Sequence, residues 1–250
     1  MIGTIISKIS EYKPNEENFV PFEITFTLQT PIVLSHPWIN FDGIIAHILL
    51  RKILGALFRS LPTNMPVEVF SRLRLPIKRT HACGYTIYHA SISFFEYNNF
   101  FATTIYKRFD NKHISLVKLK HKKIRRGSGH FKDYMIRLAY IPTKTVLFYA
   151  NGDVEEIASL IDALPGLGKK VAIGYGFVKS YTINEIDEDI SIINEGLAMR
   201  PIPVDLIDMH RHPTDATMLA YKFPYWAKQN VTLCVPPGEK IWMKNGELFS

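Results

Sequence analysis

The sequence predicts a mixed α+β chain in which strands and helices alternate, and three observations carry that reading. Residues 22–28 (Phe-Glu-Ile-Thr-Phe-Thr-Leu) alternate apolar and polar side chains, the period-two pattern of a strand with one buried face. Phe41, Ile44, Ile45, Ile48, Leu49, Ile53, Ala56 and Leu57 then recur at three- and four-residue spacings, which is a helix with one apolar side. Further along, Val154, Ile157, Leu160, Ile161 and Leu164 repeat the helical spacing, followed by a strand pattern over 177–183.

Taken in order, Pro31 and Pro37 close the first strand, and Asn40 is placed to cap the helix that follows. Asp42 falls in its first turn, where the helix dipole favours an anion, and Pro62 and Pro66 lie beyond its end. Residues 85–96 are rich in aromatic and β-branched types and predict a strand. Tyr97-Asn98-Asn99 predicts a turn and residues 100–108 a returning strand. Residues 135–150 read as one or two strands around Pro142, and Asn151-Gly152-Asp153 opens the second helix, which stops at Pro165. Strand, helix, two strands, helix, strand is a βαββαβ unit of the ferredoxin-like (RRM-like) kind, with an insertion before its third strand. Residues 1–184 are expected to form this domain. Residues 185–250 are expected to be an irregular, proline-punctuated extension packed back on it, because Phe223, Tyr225, Trp226 and Trp242 need burial.

Charge is the most unevenly distributed property of the chain. The net charge is +7, yet residues 107–137 hold eleven Lys or Arg against two Asp. That segment is therefore +9, and the rest of the chain sums to −2. Lys118, Lys120 and Lys122 recur at every second residue, so an extended chain puts them on one face, with Lys123, Arg125 and Arg126 beside them. Gly127-Ser128-Gly129 would turn that strand back into a basic finger. A charge run is commonly only a solvated face. Here the excess is of one sign and alternates with Val117 and Leu119, as an ordered strand facing a polyanion would require. Tyr106, Phe109, Phe131 and Tyr134 lie near enough to stack on unpaired bases, or to belong to a core.

The most specific local pattern is Gly166-Leu167-Gly168-Lys169-Lys170-Val171-Ala172-Ile173-Gly174-Tyr175-Gly176. Glycine allows positive φ and close approach of another backbone. Successive loop N–H groups can form an anion-binding concavity to which Lys169 and Lys170 add charge. The plainer alternative makes Gly166 a helix stop and Gly174 and Gly176 packing positions. The pattern runs from helix to strand, so it is neither a dinucleotide fingerprint nor a nucleoside-triphosphate loop, both of which run from strand to helix.

A glycine loop in this place resembles the RAMP superfamily of CRISPR proteins, and more narrowly the small backbone-capping subunit of type IV CRISPR effector complexes. The narrower resemblance rests on Phe41-Asp42-Gly43-Ile44-Ile45-Ala46, Met199-Arg200-Pro201-Ile202-Pro203 and Phe223-Pro224-Tyr225-Trp226, which with the glycine loop cover residues 22–235. It implies a non-catalytic RNA-binding subunit that holds the 5′ handle of the CRISPR RNA. The implied partners are a helical backbone subunit, a large subunit and target DNA near its flanking motif. The glycine loop (Gly166, Gly168, Lys169, Lys170, Gly174, Tyr175, Gly176) would lie against the handle, and the finger would be a thumb over the guide. Some proteins of the superfamily instead cleave repeat RNA without a metal, often with a histidine. His47, His81 and His89 are the candidates for that chemistry here. An adaptor whose finger meets an acidic protein is the third reading.

No cofactor or metal site is expected. His210 and His212 beside Asp208 lack further ligands at metal-binding spacing. Cys83 and Cys234 suggest no disulfide framework, and no apolar run approaches the roughly 20 residues of a membrane span. A reducing, cytoplasmic setting is the expectation.

Overall fold

The computed structural model describes residues 2–61, 67–96, 99–117, 124–208 and 215–244. Among the described residues the α-helices are α1 (Ile2–Glu11), α2 (Phe41–Leu54), α3 (Val67–Ser71) and α4 (Val154–Ile161). The strands of the first half are β1 (Phe19–Leu28), β2 (Arg79–Ala82), β3 (Tyr85–Tyr88), β4 (Phe94–Phe95), β5 (Phe101–Lys107), β6 (Tyr134–Tyr140) and β7 (Thr145–Asp153). Those that follow are β8 (Val178–Glu185), β9 (Ile193–Asn194), β10 (Leu197–Ala198), β11 (Ile202–Pro203), β12 (Thr217–Ala220) and β13 (Val231–Val235).

The central sheet runs β4-β7-β1-β8, and every neighbouring pair is antiparallel. The alternation read in β1 is realised, since Phe22, Ile24, Phe26 and Leu28 are buried. They meet Phe148 of β7 and the apolar sides of α1, α2 and α4 in one core. On the other face Thr25 and Thr27 pair with Thr182 and Ser180, a polar surface. Asp153 caps α4 as its position promises, accepting from the Glu156 amide at 2.9 Å. Asn40 does not repeat this at α2. Its backbone is extended, as at a cap, but its side chain accepts no bond from the helix.

Three differences from the sequence reading have physical causes. Helix α1 was not read, although Ile2, Ile5, Ile6 and Ile9 have helical spacing; Ile5 and Ile9 are fully buried in the main core. The strand expected over 85–96 is split. β3 turns back on β2 through Cys83 and Gly84, both at positive φ; beyond it Ala90 bridges Ala150 of β7, and Phe94–Phe95 pair with β7 as a strand of the central sheet. The third difference concerns the extension expected to be irregular, which forms the hairpin β9-β10 and the sheet β11-β13-β12. These strands enclose a second core with Ala82 and Ile87. Adjacent residues of β3 therefore serve different cores, Ile87 the second and Tyr88 the first, because side chains alternate across a strand.

The basic insertion is carried on a hairpin. β5 pairs with β6 from Phe101↔Tyr140 to Lys107↔Tyr134, so the described residues 108–117 and 124–133 lie beyond its paired strands. A 3₁₀ turn at Asn111–Leu116, the Phe109–Phe131 ring contact (5.1 Å) and the Phe109 amide on Asp133 (3.1 Å) order part of this stretch.

Candidate nucleic-acid interface

The three motif pieces scattered through the sequence converge on one buried polar cluster. Arg200 is 1% exposed and donates to the carbonyls of Tyr88, Ala90 and Tyr221, the last two at 2.8 and 2.7 Å. It also reaches the Tyr225 hydroxyl (3.2 Å) and the fully buried Asp42 (3.5 Å). Tyr225 in turn donates to Asp42 at 2.5 Å. Burial, and then the charge of Asp42, hold the Tyr225 phenol well above its usual range, so it stays a donor. Gly43 is part of the same fit, because a Cβ there would lie 3.3 Å from the Tyr225 ring. The cluster ties the first turn of α2 to the segments entering β11 and β13.

Beside it opens a cleft of about 530 Å³ between residues 34–40, α2 and residues 163–171. Trp38 and Ile44 give it apolar wall, Arg51 and Lys169 give it charge, and Gly166 and Gly168 form the rim. His47 lines it too, exposed to solvent and edge-on to Phe58 at 5.3 Å. Partial burial, and then the neighbouring Arg51, lower its pKa, so the imidazole is neutral at pH 7.

The glycine loop combines the two roles its sequence allowed. A Cβ on Gly176 would sit 2.0 Å from the Leu167 carbonyl, one on Gly166 would sit 2.7 Å from that of Gly176, and one on Gly168 would sit 2.5 Å from that of Val33. These three glycines are required for packing. Gly174, at φ +100 with open space around it, is a turn position. Lys170 is a lysine in the left-handed region (φ 66), followed by the right-handed turn Val171–Ile173. That succession points consecutive N–H groups to one side, a geometry that holds anions. Among the described residues no carbonyl accepts from the amides of Lys170, Val171 or Ala172. Lys169 and Lys170 are exposed beside them.

Residues 30–33, just past β1, clamp this loop and the hairpin to one side of the molecule. Ile32 exchanges backbone bonds with Ile141 at the hairpin base (3.0 and 2.8 Å). Val33 accepts from the Lys169 amide (2.7 Å) and Pro31 from the Gly176 amide (2.8 Å). Side chains continue the link, since Phe101 stacks on Tyr140 (6.0 Å) and Tyr140 meets Tyr175 (6.4 Å).

Of the finger residues, Lys118, Lys120, Lys122 and Lys123 lie outside the described residues, as do His210 and His212. Arg125 and Arg126 are exposed, with Arg126 donating to Asn111. Gly129 has positive φ in the bend at 126–129. Phe109 and Phe131 pack on each other, whereas Tyr106 is 69% exposed and Tyr134 lies under Lys107. His89 is buried, with Nδ1 2.6 Å from Asp189 and Nε2 2.8 Å from Thr80; its role is to join β3 to residues 189–191. Exposed His81 lies elsewhere, near Lys78 and Arg79. Arg51, Trp38 and Tyr140 were not read as site residues; only the cationic end of α2 hinted at the first. No group of three or more metal-binding side chains occurs among the described residues.

The family model described as CRISPR type IV associated protein Csf3 matches residues 20–237. The chain belongs to that family. The match coincides with the stretch, residues 22–235, over which the motif pieces of this Csf3-family chain were recognised. No curated protein sequence matches it. Among solved structures, a chain of the type III-B Cmr-beta complex bound to cognate target RNA, determined by cryo-EM, is 12% identical with a TM-score of 0.35. The match covers 68% of this chain and 62% of that one. Among the described residues of the Csf3-family chain no helix is long and apolar enough to cross a membrane.

Proposed function

We propose that this chain is the non-catalytic, guide-binding subunit of a type IV CRISPR complex, holding the 5′ handle of the CRISPR RNA and capping the helical backbone. What supports this most directly is the convergence just described: residues 30–33 hold the amide-rich turn at Lys170 and the base of the basic hairpin on the same side. Phosphates along one strand then meet oriented N–H groups and Lys169 at one point and the cations of residues 107–137 at another. Lys118, Lys120, Lys122, Lys123, Arg125 and Arg126 act as the thumb. The strand order β4-β7-β1-β8, with α2 and α4 as crossovers, fits a βαββαβ ferredoxin-like unit over residues 1–184. Residues 185–250 brace it through Arg200. We further propose that the chain contacts a backbone subunit, a large subunit and target DNA, a reading that its family membership supports.

The test compares RNA carrying the 5′ handle with RNA of scrambled handle. The chain binds the first more tightly, Lys169→Glu with Lys170→Glu removes that preference, and the RNA stays intact in EDTA. A double variant that keeps the preference contradicts the reading. A neutral His47 in the cleft supports a second reading, a metal-independent endoribonuclease; RNA cleaved in EDTA by the unmodified chain and left whole by His47→Ala would establish it.

A further inference from the structure

A second cavity, of about 520 Å³, lies at the opposite end of β1 from the glycine loop, walled by Phe19 at the start of that strand and by Asn151 near the end of β7. Ten residues of strand separate the two ends, roughly 30 Å. Its rim carries Arg74, Lys78, Arg79 and His81 against one carboxylate, Glu16, which pairs with Arg74 at 3.2 Å. Among the described ion pairs neither Lys78 nor Arg79 has an acidic partner.

The fold places these cations deliberately close to Asn151. Gly152 lets the backbone of residues 76–77 approach so tightly that a Cβ would fall 2.2 Å from the Pro76 carbonyl. The Lys78 amide then donates to the Asn151 carbonyl at 2.7 Å. Asn151 is 5% exposed, and its Nδ2 donates to Asp189 at 2.9 Å. A carboxylate can only accept, so this bond fixes the amide orientation and leaves Oδ1 as the free end. That oxygen is buried without a partner, and Asn151 is one of the residues that line the cavity. A buried acceptor left unpaired costs about 1–3 kcal/mol, which a ligand hydroxyl or amine would recover.

We infer that this cavity is a second nucleotide subsite, in which Lys78 and Arg79 hold a backbone phosphate while Asn151 Oδ1 accepts from a hydroxyl or amino group of the same nucleotide. Its volume lies within the ordinary range for a small-ligand site. A phosphodiester strand, RNA or DNA, supplies both groups, whereas an acidic peptide supplies the charge alone. The inference rests on the chain's being a nucleic-acid-binding subunit. It adds that a bound strand is held at both ends of the central sheet.

The experiment uses the full chain and measures binding of one single-stranded sequence, as RNA and as DNA, over a series of salt concentrations. Lys78→Gln with Arg79→Gln, checked for unaltered thermal unfolding, should reduce the log–log salt slope by about 0.7, the share of one phosphate contact on a single strand. Loss in the RNA arm assigns the subsite to the guide, and loss in the DNA arm to the target strand. An unchanged slope in both arms overturns the subsite. A chain that binds neither strand before mutation overturns the proposed function with it. Should the double variant not fold, thio-substituted RNA and DNA are cross-linked to the unmodified chain: attachment within residues 74–81 supports the subsite, and attachment confined to the glycine loop and hairpin overturns it.

Discussion

Replacing Arg200 by alanine would leave Asp42 buried beside the Tyr225 hydroxyl without its cationic partner, and would take a donor from three backbone carbonyls at once. Breaking a buried ion pair from one side costs about 3–5 kcal/mol, so urea unfolding of Arg200→Ala should move by that amount. Tyr225→Phe should cost about 1–3 kcal/mol, the penalty of one unmet buried acceptor. Asp189 behaves differently, because it titrates within reach. Burial alone would raise its pKa, but hydrogen bonds and charge from His89, with bonds from Ser191 and Asn151, hold it at about 2. A carboxyl depressed in the folded state stabilises the fold above its unfolded value of about 3.9, and that contribution is lost as pH falls toward 2. Asp189→Asn is expected to lower stability above pH 4 and to flatten its fall between about pH 4 and 2 in denaturant titrations. Sequence reading reached these residues unequally. Asp42, Arg200 and Tyr225 were visible as motif pieces, but a contact between positions more than 150 apart has no local signature. Asp42 was accordingly read as a helix-dipole anion.

At the scale of elements, the glycine loop makes a sharp internal comparison. Gly176→Ala forces a Cβ into the Leu167 carbonyl at positive φ, whereas Gly174→Ala meets nothing within 4 Å and bears only the strain of a left-handed alanine, about 1–2 kcal/mol. Guide RNA affinity should therefore drop steeply for Gly176→Ala and little for Gly174→Ala. Equal losses would mean that loop mobility, and not its packed shape, is what the RNA requires. The strong periodicities of β1, α2, α4 and β8 were legible because each buries one face against the same core, and burial writes a period into the sequence. The division of residues 85–96 was not. Ile87 and Tyr88 are both apolar and both buried, yet in different cores, so local pattern contains nothing to separate them. The extension was misread for a related reason: β9, β10 and β11 are two residues each, too short for any period to show.

Across the whole molecule, one end of the central sheet gathers the loop, the cleft and the hairpin base, while the opposite end holds the Lys78–Arg79 cavity. The concentration of charge was readable from the sequence, but its position relative to the loop was not. It depends on Ile32 and Val33, two ordinary apolar residues that bind Ile141 and Lys169 through backbone alone. The most direct test is the salt dependence of guide RNA affinity for the full chain. Five phosphate contacts predict a log–log slope near −3.5, from roughly −0.7 per contact with a single strand. Part of that slope should disappear when Lys169 and Lys170 are neutralised, and a separate part when Lys118, Lys120, Lys122, Lys123, Arg125 and Arg126 are. A slope that neither set of substitutions alters would contradict the proposed function.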